Sequence, residues 1–181
     1  MAALPSVVLQ SLPSLGRTHR SFMKPARKAP AAASPEDLSI GPASPGDMRQ
    51  IIRLDAQTTA NAKPKYWHRR FEACQANPSE QFFLVAKRGG ALLGFIVGEI
   101  RAWEFGSPPC GWVFAIAVDP EARLESIGSS LFQAICDRFR AAGVAKVRTM
   151  IARDHQLILS FFRSQGMMGG PFVELEMELD E

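Results

Sequence analysis

Residues Ile116–Phe132 read IAVDPEARLESIGSSLF. An apolar strand runs into Asp119-Pro120, a loop carrying Arg123, Ser126 and Gly128 follows, and an amphipathic helix begins. A strand, a loop with free backbone amides and a helix N-terminus together build an anion site. The first-turn N–H groups have no intrahelical acceptor, and the helix start carries about half a positive charge. Gly128 lets a phosphate approach the backbone closely. The competing structural reading is that Ser126 and Gly128 merely cap the helix.

Working outward, Trp112–Val118 is apolar throughout, which predicts a strand buried on both faces. Ile127, Leu131, Ile135 and Phe139 recur every four residues, the mark of a core-facing helix that Gly143 ends. Val144–Ala152 reads as a strand and His155–Gln165 as a short helix. Phe172–Leu179 alternates apolar Val173, Leu175, Met177 and Leu179 with mostly acidic neighbours, predicting a last strand with one wet face. Upstream, Leu38–Ile40 is a short strand and Ser44-Pro45-Gly46-Asp47 a helix start. Tyr66–Ala76 is a second helix, with Trp67, Phe71 and Cys74 on one stripe. Gln81–Lys87 and Leu92–Trp103 form a hairpin across Arg88-Gly89-Gly90. The order β-α-α-β-β-β-α-β-α-β predicts a mixed α/β fold: a mostly antiparallel sheet flanked by helices, closed by a β-α-β crossover.

Composition narrows the function. The chain has 181 residues, 46% hydrophobic and 22% charged, as expected for one soluble domain plus an extension. The formal charge of +3 is unevenly placed. Residues 1–35 hold five basic side chains and no acid, whereas residues 36–181 hold 16 basic and 18 acidic ones. The basicity therefore belongs to the tail, and the body has no basic patch interleaved with aromatics, so no nucleic-acid partner is expected. No apolar run is long enough to span a membrane. Cys74, Cys110 and Cys136 are odd in number and lack metal-ligand spacing, so neither a disulfide framework nor a metal is expected. Residues 1–37, punctuated by five prolines, read as a disordered extension, a transit-like leader, or a segment upstream of a true start at Met23. The domain is expected over 38–181, in the cytoplasm, or in an organelle if the tail is a transit peptide.

Arg123-Leu124-Glu125-Ser126-Ile127-Gly128 resembles the acetyl-CoA pyrophosphate loop of the GNAT N-acetyltransferase superfamily. That loop reads Arg/Gln-x-x-Gly-x-Gly/Ala, and one glycine here has become serine. Phe161-Phe162-Arg163-Ser164-Gln165-Gly166-Met167 is similar to a second family block, Phe-Tyr-x-x-x-Gly-Phe, with His155 at the position of a family Asn. The element order matches as well, over about residues 38–180. The resemblance implies a splayed central strand whose backbone at Ile116, Ala117 and Val118 pairs with pantetheine. It also implies pyrophosphate contacts from Arg123, Leu124, Glu125, Ser126, Ile127, Gly128 and Ser129, with His155 and Phe162 in the family's conserved block beside the cofactor. The donor implied is acetyl-CoA, with no metal, and the reaction is direct acetyl transfer to a primary amine. Ser126 and Glu125 imply weaker CoA binding than a Gly-Gly loop would give.

The acid and base are less plain. Phe162 stands where the family often has a tyrosine that protonates the leaving thiolate. The chain's single tyrosine, Tyr66, is one replacement, and packing is the other reading of it. Amine attack needs a neutral amine, and a lysine side chain is only about 0.04% neutral at pH 7 whereas an α-amine is about 10% neutral. Trp112–Val118 carries no carboxylate. The base candidates are Glu104, in the Glu-Phe-Gly loop before the central strand, then Glu99, Asp154 and His155. Two further readings stand beside the enzyme: a catalytically silent acyl-CoA-binding module, and a dimeric interaction module built on the last strand's edge.

Overall fold

The computed structural model describes residues 38–179, and the readings of the tail lie outside them. Its five-stranded sheet has the order β1-β2-β3-β4-β5. The strands are β1 (Leu38–Pro42), β2 (Gln81–Arg88), β3 (Ala91–Arg101), β4 (Cys110–Val118) and β5 (Val147–Arg148). The first four are antiparallel neighbours, and β4 and β5 are parallel. Helices α1 (Met48–Thr59) and α2 (Pro64–Ala76) lie between β1 and β2 in the chain. Helix α3 (Ile127–Ala141) makes the crossover from β4 to β5, and α4 (Gln156–Ser164) follows. The expected mixed, mostly antiparallel architecture is therefore the one observed.

Each element forms where local chemistry favours it. The start of α1 follows a single 3₁₀ turn over Pro45–Asp47, closed by a capping box. Both the backbone N–H and the hydroxyl of Ser44 donate to Asp47 Oδ2, at 2.8 and 2.7 Å. Lys87 Nζ reaches Asp47 Oδ1 at 2.6 Å, tying that helix start to β2. Burial acts to raise the Asp47 pKa, but Lys87 and Ser44 outweigh it and hold the carboxyl below its ordinary range. The β2–β3 turn uses Gly89 and Gly90 at φ 55° and 81°, a region that side chains disfavour and two-residue hairpin turns require.

The sheet is covered on both faces. Met48, Ile51 and Leu54 of α1 and Trp67, Phe71 and Cys74 of α2 pack on Phe83, Val85, Phe95 and Val97. On the other face Ile127, Leu131, Ile135 and Phe139 of α3 pack on Phe82, Leu84, Ala86 and Ile96, joined by Phe162 of α4. Each such side chain, fully buried, contributes on the order of 1.5–3 kcal/mol.

Three expectations are corrected. The strand expected over Val144–Ala152 shrinks to Val147–Arg148, because only Gly111↔Val147 and Trp112↔Arg148 pair before the two chains diverge. Consequently β4 is not buried on both faces: Trp112, Phe114, Ala115, Ile116 and Val118 are partly exposed where its neighbour has left. Phe172–Leu179 is not a strand. Val173, Leu175, Met177 and Leu179 are 77–91% exposed, so the alternation meets no sheet edge to pair with and no core to face.

Candidate functional site

The divergence of β4 from β5 creates the site. Beyond Trp112 the β4 backbone pairs with β3 alone, through Val118. Its other edge, over Val113–Val118, faces an opening bounded by Thr149–Ala152. A cleft of about 580 Å³ occupies this opening, within the range of small-molecule sites. Val113–Ala117 form its floor, and Thr149–Ala152 with His155, Ile158 and Phe162 form one wall. Asp55, Thr58, Thr59, Lys63, Tyr66 and Trp67 form the wall opposite, with Phe95 behind.

Below the open strand edge lies the loop. Pro120–Glu125 makes a 3₁₀ turn, opened by Asp119 Oδ1, which accepts from Glu121 N–H at 3.0 Å. Ser126 then adopts the left-handed conformation, φ 59°, and α3 begins. Its hydroxyl makes no cap hydrogen bond. The Ser130 N–H to Ser126 C=O bond, 3.0 Å, is the one that reaches back across the helix start. The capping reading of Ser126 thus fails at the side chain, and the first-turn amides of Ile127, Gly128 and Ser129 carry the usual positive end of a helix. Ile127 is fully buried, so only its backbone is offered. Gly128 has a packing reason as well: a Cβ there would meet Phe161 Cε2 at 3.1 Å.

The loop's acid is not bare. Glu125 Oε2 lies 2.6 Å from Arg88 Nη1, at the end of β2. Arg88 largely neutralises the carboxylate that the sequence places against an incoming pyrophosphate. Nothing in the local sequence announces this pair, because 37 positions separate the partners and only the hairpin brings them together. Arg123 is exposed on the same turn.

Of the expected chemical residues, the cleft brings together Tyr66, His155, Phe162, Ile116 and Ala117. Phe162 is buried against Phe132 and Phe161. Tyr66 stacks edge-on to Trp67, with centroids 4.9 Å apart. His155 sits at the N-cap of α4 without a side-chain cap bond. Glu104 stands apart: it lies in a separate 3₁₀ turn, Glu104–Gly106, is exposed, and is absent from the cleft lining. Left-handed Trp103 and Phe105 flank it and carry the turn away from the sheet. Glu99 is bound by Arg70 and Arg101 at 3.2 and 2.9 Å, and Asp154 is exposed outside the lining.

The cleft's one carboxylate is Asp55, which the sequence does not single out. It is buried and accepts from Trp67 Nε1 at 2.8 Å, while Lys63 Nζ lies 3.0 Å from the same oxygen. An i, i+12 Asp–Trp pairing across two helices was the only trace of it in the chain. All three cysteines are free and buried. Burial pushes the Cys74 thiol up to about 11 and raises Cys136 as well, so neither is a thiolate near neutral pH. Cys110 is buried and outside the cleft. Among the described residues no three His, Cys, Asp or Glu side chains converge as a metal site. No helix there is long and apolar enough to cross a membrane.

Comparison with known proteins accords with this geometry. The profile of the acetyltransferase (GNAT) family matches residues 48–167, more than half of the chain. A curated relative, mycothiol acetyltransferase of Thermobispora bispora, is 26% identical over 160 residues, covering 84% of this chain. The chain spans 53% of that relative's length. Among solved structures, an aminoglycoside 6'-N-acetyltransferase from Acinetobacter haemolyticus superposes with a TM-score of 0.65 at 17% identity, covering 78% of this chain and 99% of that one. Glucosamine-6-phosphate N-acetyltransferase from Arabidopsis thaliana gives 0.63 at 18% identity, covering 79% and 99%. The match of the family profile to residues 48–167 places the chain in the GNAT acetyltransferase family.

Proposed function

We propose that the protein transfers an acetyl group from acetyl-CoA directly to a primary amine within a ternary complex. The observation that carries this reading is the free β4 edge leading from a cleft to the start of α3. In this reading the backbone of Ile116, Ala117 and Val118 pairs with the pantetheine amides. The amides of Leu124–Ser129, with Arg123, hold the pyrophosphate. The amine nitrogen attacks the thioester carbonyl, and a β4 backbone N–H, that of Val118, meets the oxyanion. The tetrahedral adduct then collapses, breaking the C–S bond, and the CoA thiolate leaves with a proton.

Tyr66 and His155 stand on the cleft walls, where Asp55 and Lys63 are already paired with each other. We assign Tyr66 the donation to the thiolate, and His155 the removal of the ammonium proton through water. Glu104 takes no part, because it lies outside the lining. Holding both reactants in one cleft supplies a large share of the rate through effective molarity. Thiol release measured with acetyl-CoA over an amine panel tests the reading. Tyr66→Phe should lower kcat at least tenfold with little change in KM, His155→Gln should shift the pH–rate profile toward alkaline values by removing the base, and Cys110→Ala should keep full activity. A covalent acyl-enzyme route would instead be lost with Cys110.

One observation favours the silent-module alternative: the family's tyrosine position is Phe162, buried among aromatics. Calorimetric binding of CoA without thiol release to any amine would establish that alternative.

A further inference from the structure

We infer that the acceptor is a monoamine carried on an aromatic or branched aliphatic body, and that polycationic amines are excluded. The inference rests on the transferase reading and names the substrate class of the same cleft. Its walls are largely apolar: Tyr66 and Phe114 present partly exposed aromatic faces, backed by the buried Trp67, Phe95 and Phe162, beside Ile116, Ile151 and Ile158. The polar groups of Asp55, Thr58 and Thr59 are already engaged. Both oxygens of Asp55 are taken, Oδ2 by Trp67 Nε1 at 2.8 Å and Oδ1 by Lys63 Nζ at 3.2 Å. The Thr58 hydroxyl donates to Leu54 C=O at 3.1 Å, and that of Thr59 to Asp55 C=O at 3.0 Å. The cleft's own Lys63 is matched to Asp55, and Arg70, 4.5 Å above the ring of the cleft residue Phe114, is itself paired with Glu99.

Among the described residues lining the cleft, no carboxylate is therefore free to receive an ammonium group. A polyamine or aminosugar would bring several charges into a cleft that offers aromatic faces and two cations already matched. Each extra ammonium would lose water without gaining a carboxylate partner, and an aromatic face returns only part of that cost. A monoamine must give up only the proton that the attack requires it to lose, and its apolar body replaces water on the aromatic walls.

Calorimetric titration of the full chain tests this, using 2-phenylethylamine, spermidine and kanamycin, each with and without saturating CoA. The expected result is 2-phenylethylamine binding at least tenfold tighter than either polycation. Equal or tighter binding of a polycation overturns the inference, as does absence of 2-phenylethylamine binding. CoA titrated alone reads the transferase proposal separately: failure of CoA to bind would sink that proposal, while the amine ranking still decides the cleft. Thr58→Glu, at an exposed rim position, adds a free carboxylate. It should narrow the affinity ratio between 2-phenylethylamine and the polycations at least threefold, and an unchanged ratio would show that cleft charge does not set it.

Discussion

Ser126 shows how one residue can weaken a loop without removing it. A β-carbon at φ 59° costs on the order of 1 kcal/mol, and in the proposed binding mode the same β-carbon would crowd the phosphate. Ser126→Gly should therefore raise the melting temperature by about 2–4 °C in a domain of this size. It should also tighten CoA binding, read by calorimetry. Unchanged affinity would show that the phosphate does not pass that atom. Glu125 behaves differently from a bare acid because Arg88 holds it. The pair is partly exposed, so its own contribution to stability is at most about 1 kcal/mol. Glu125→Gln should leave stability nearly unchanged, free Arg88, and tighten CoA about threefold at low salt, an effect that fades as ionic strength rises.

Among the elements, β4 is shaped by what it lacks. Gly111 passes under α3 so closely that an added Cβ would lie 2.5 Å from Phe139 Cδ2. Gly111→Ala should cost about 1–3 kcal/mol through overpacking, visible as a lowered denaturant midpoint at constant slope. It should also spread β4 from α3 and so weaken CoA binding. At the other end of the sheet, Asp47 joins the start of α1 to β2. Its folded pKa is depressed. Its stabilisation is therefore present above the unfolded carboxyl value of about 3.9 and lost as pH falls through the lower folded value. Asp47→Asn should remove about 1–3 kcal/mol at pH 7 and flatten the acid limb of a stability–pH curve. A variant with an unchanged acid limb would show that other carboxylates dominate it.

Over the whole molecule, the C-terminal segment makes the sharpest contrast with the packed body. Its large apolar side chains are exposed, and its recorded anchor is Phe172 under the Arg148 guanidinium, 4.4 Å from the ring centroid. Such a contact contributes about 0.5–1 kcal/mol. Ending the chain after Gly170 should lower the melting temperature by no more than about 4 °C. A larger fall, with a change in mass by light scattering, would show that the segment pairs with another copy. The elements that bury side chains on local periodic patterns were legible in the chain: Ile127, Leu131, Ile135 and Phe139 on α3, Trp67, Phe71 and Cys74 on α2, and the Gly89-Gly90 hairpin. The loop into α3 was legible too as an element, because Asp119-Pro120 opens a turn and the apolar period starts at Ile127. Phe172–Leu179 misled because alternation records a strand's two faces but not whether an edge exists to pair with. The early parting of β4 from β5, the binding of Asp55 by Trp67 and Lys63, and the Arg88–Glu125 pair were decided only by the tertiary structure. Each depends on residues distant in the chain meeting in space. Local pattern therefore determined the helices, the hairpin and the loop into α3, while long-range packing decided where the cleft opens and which of its charges are already matched.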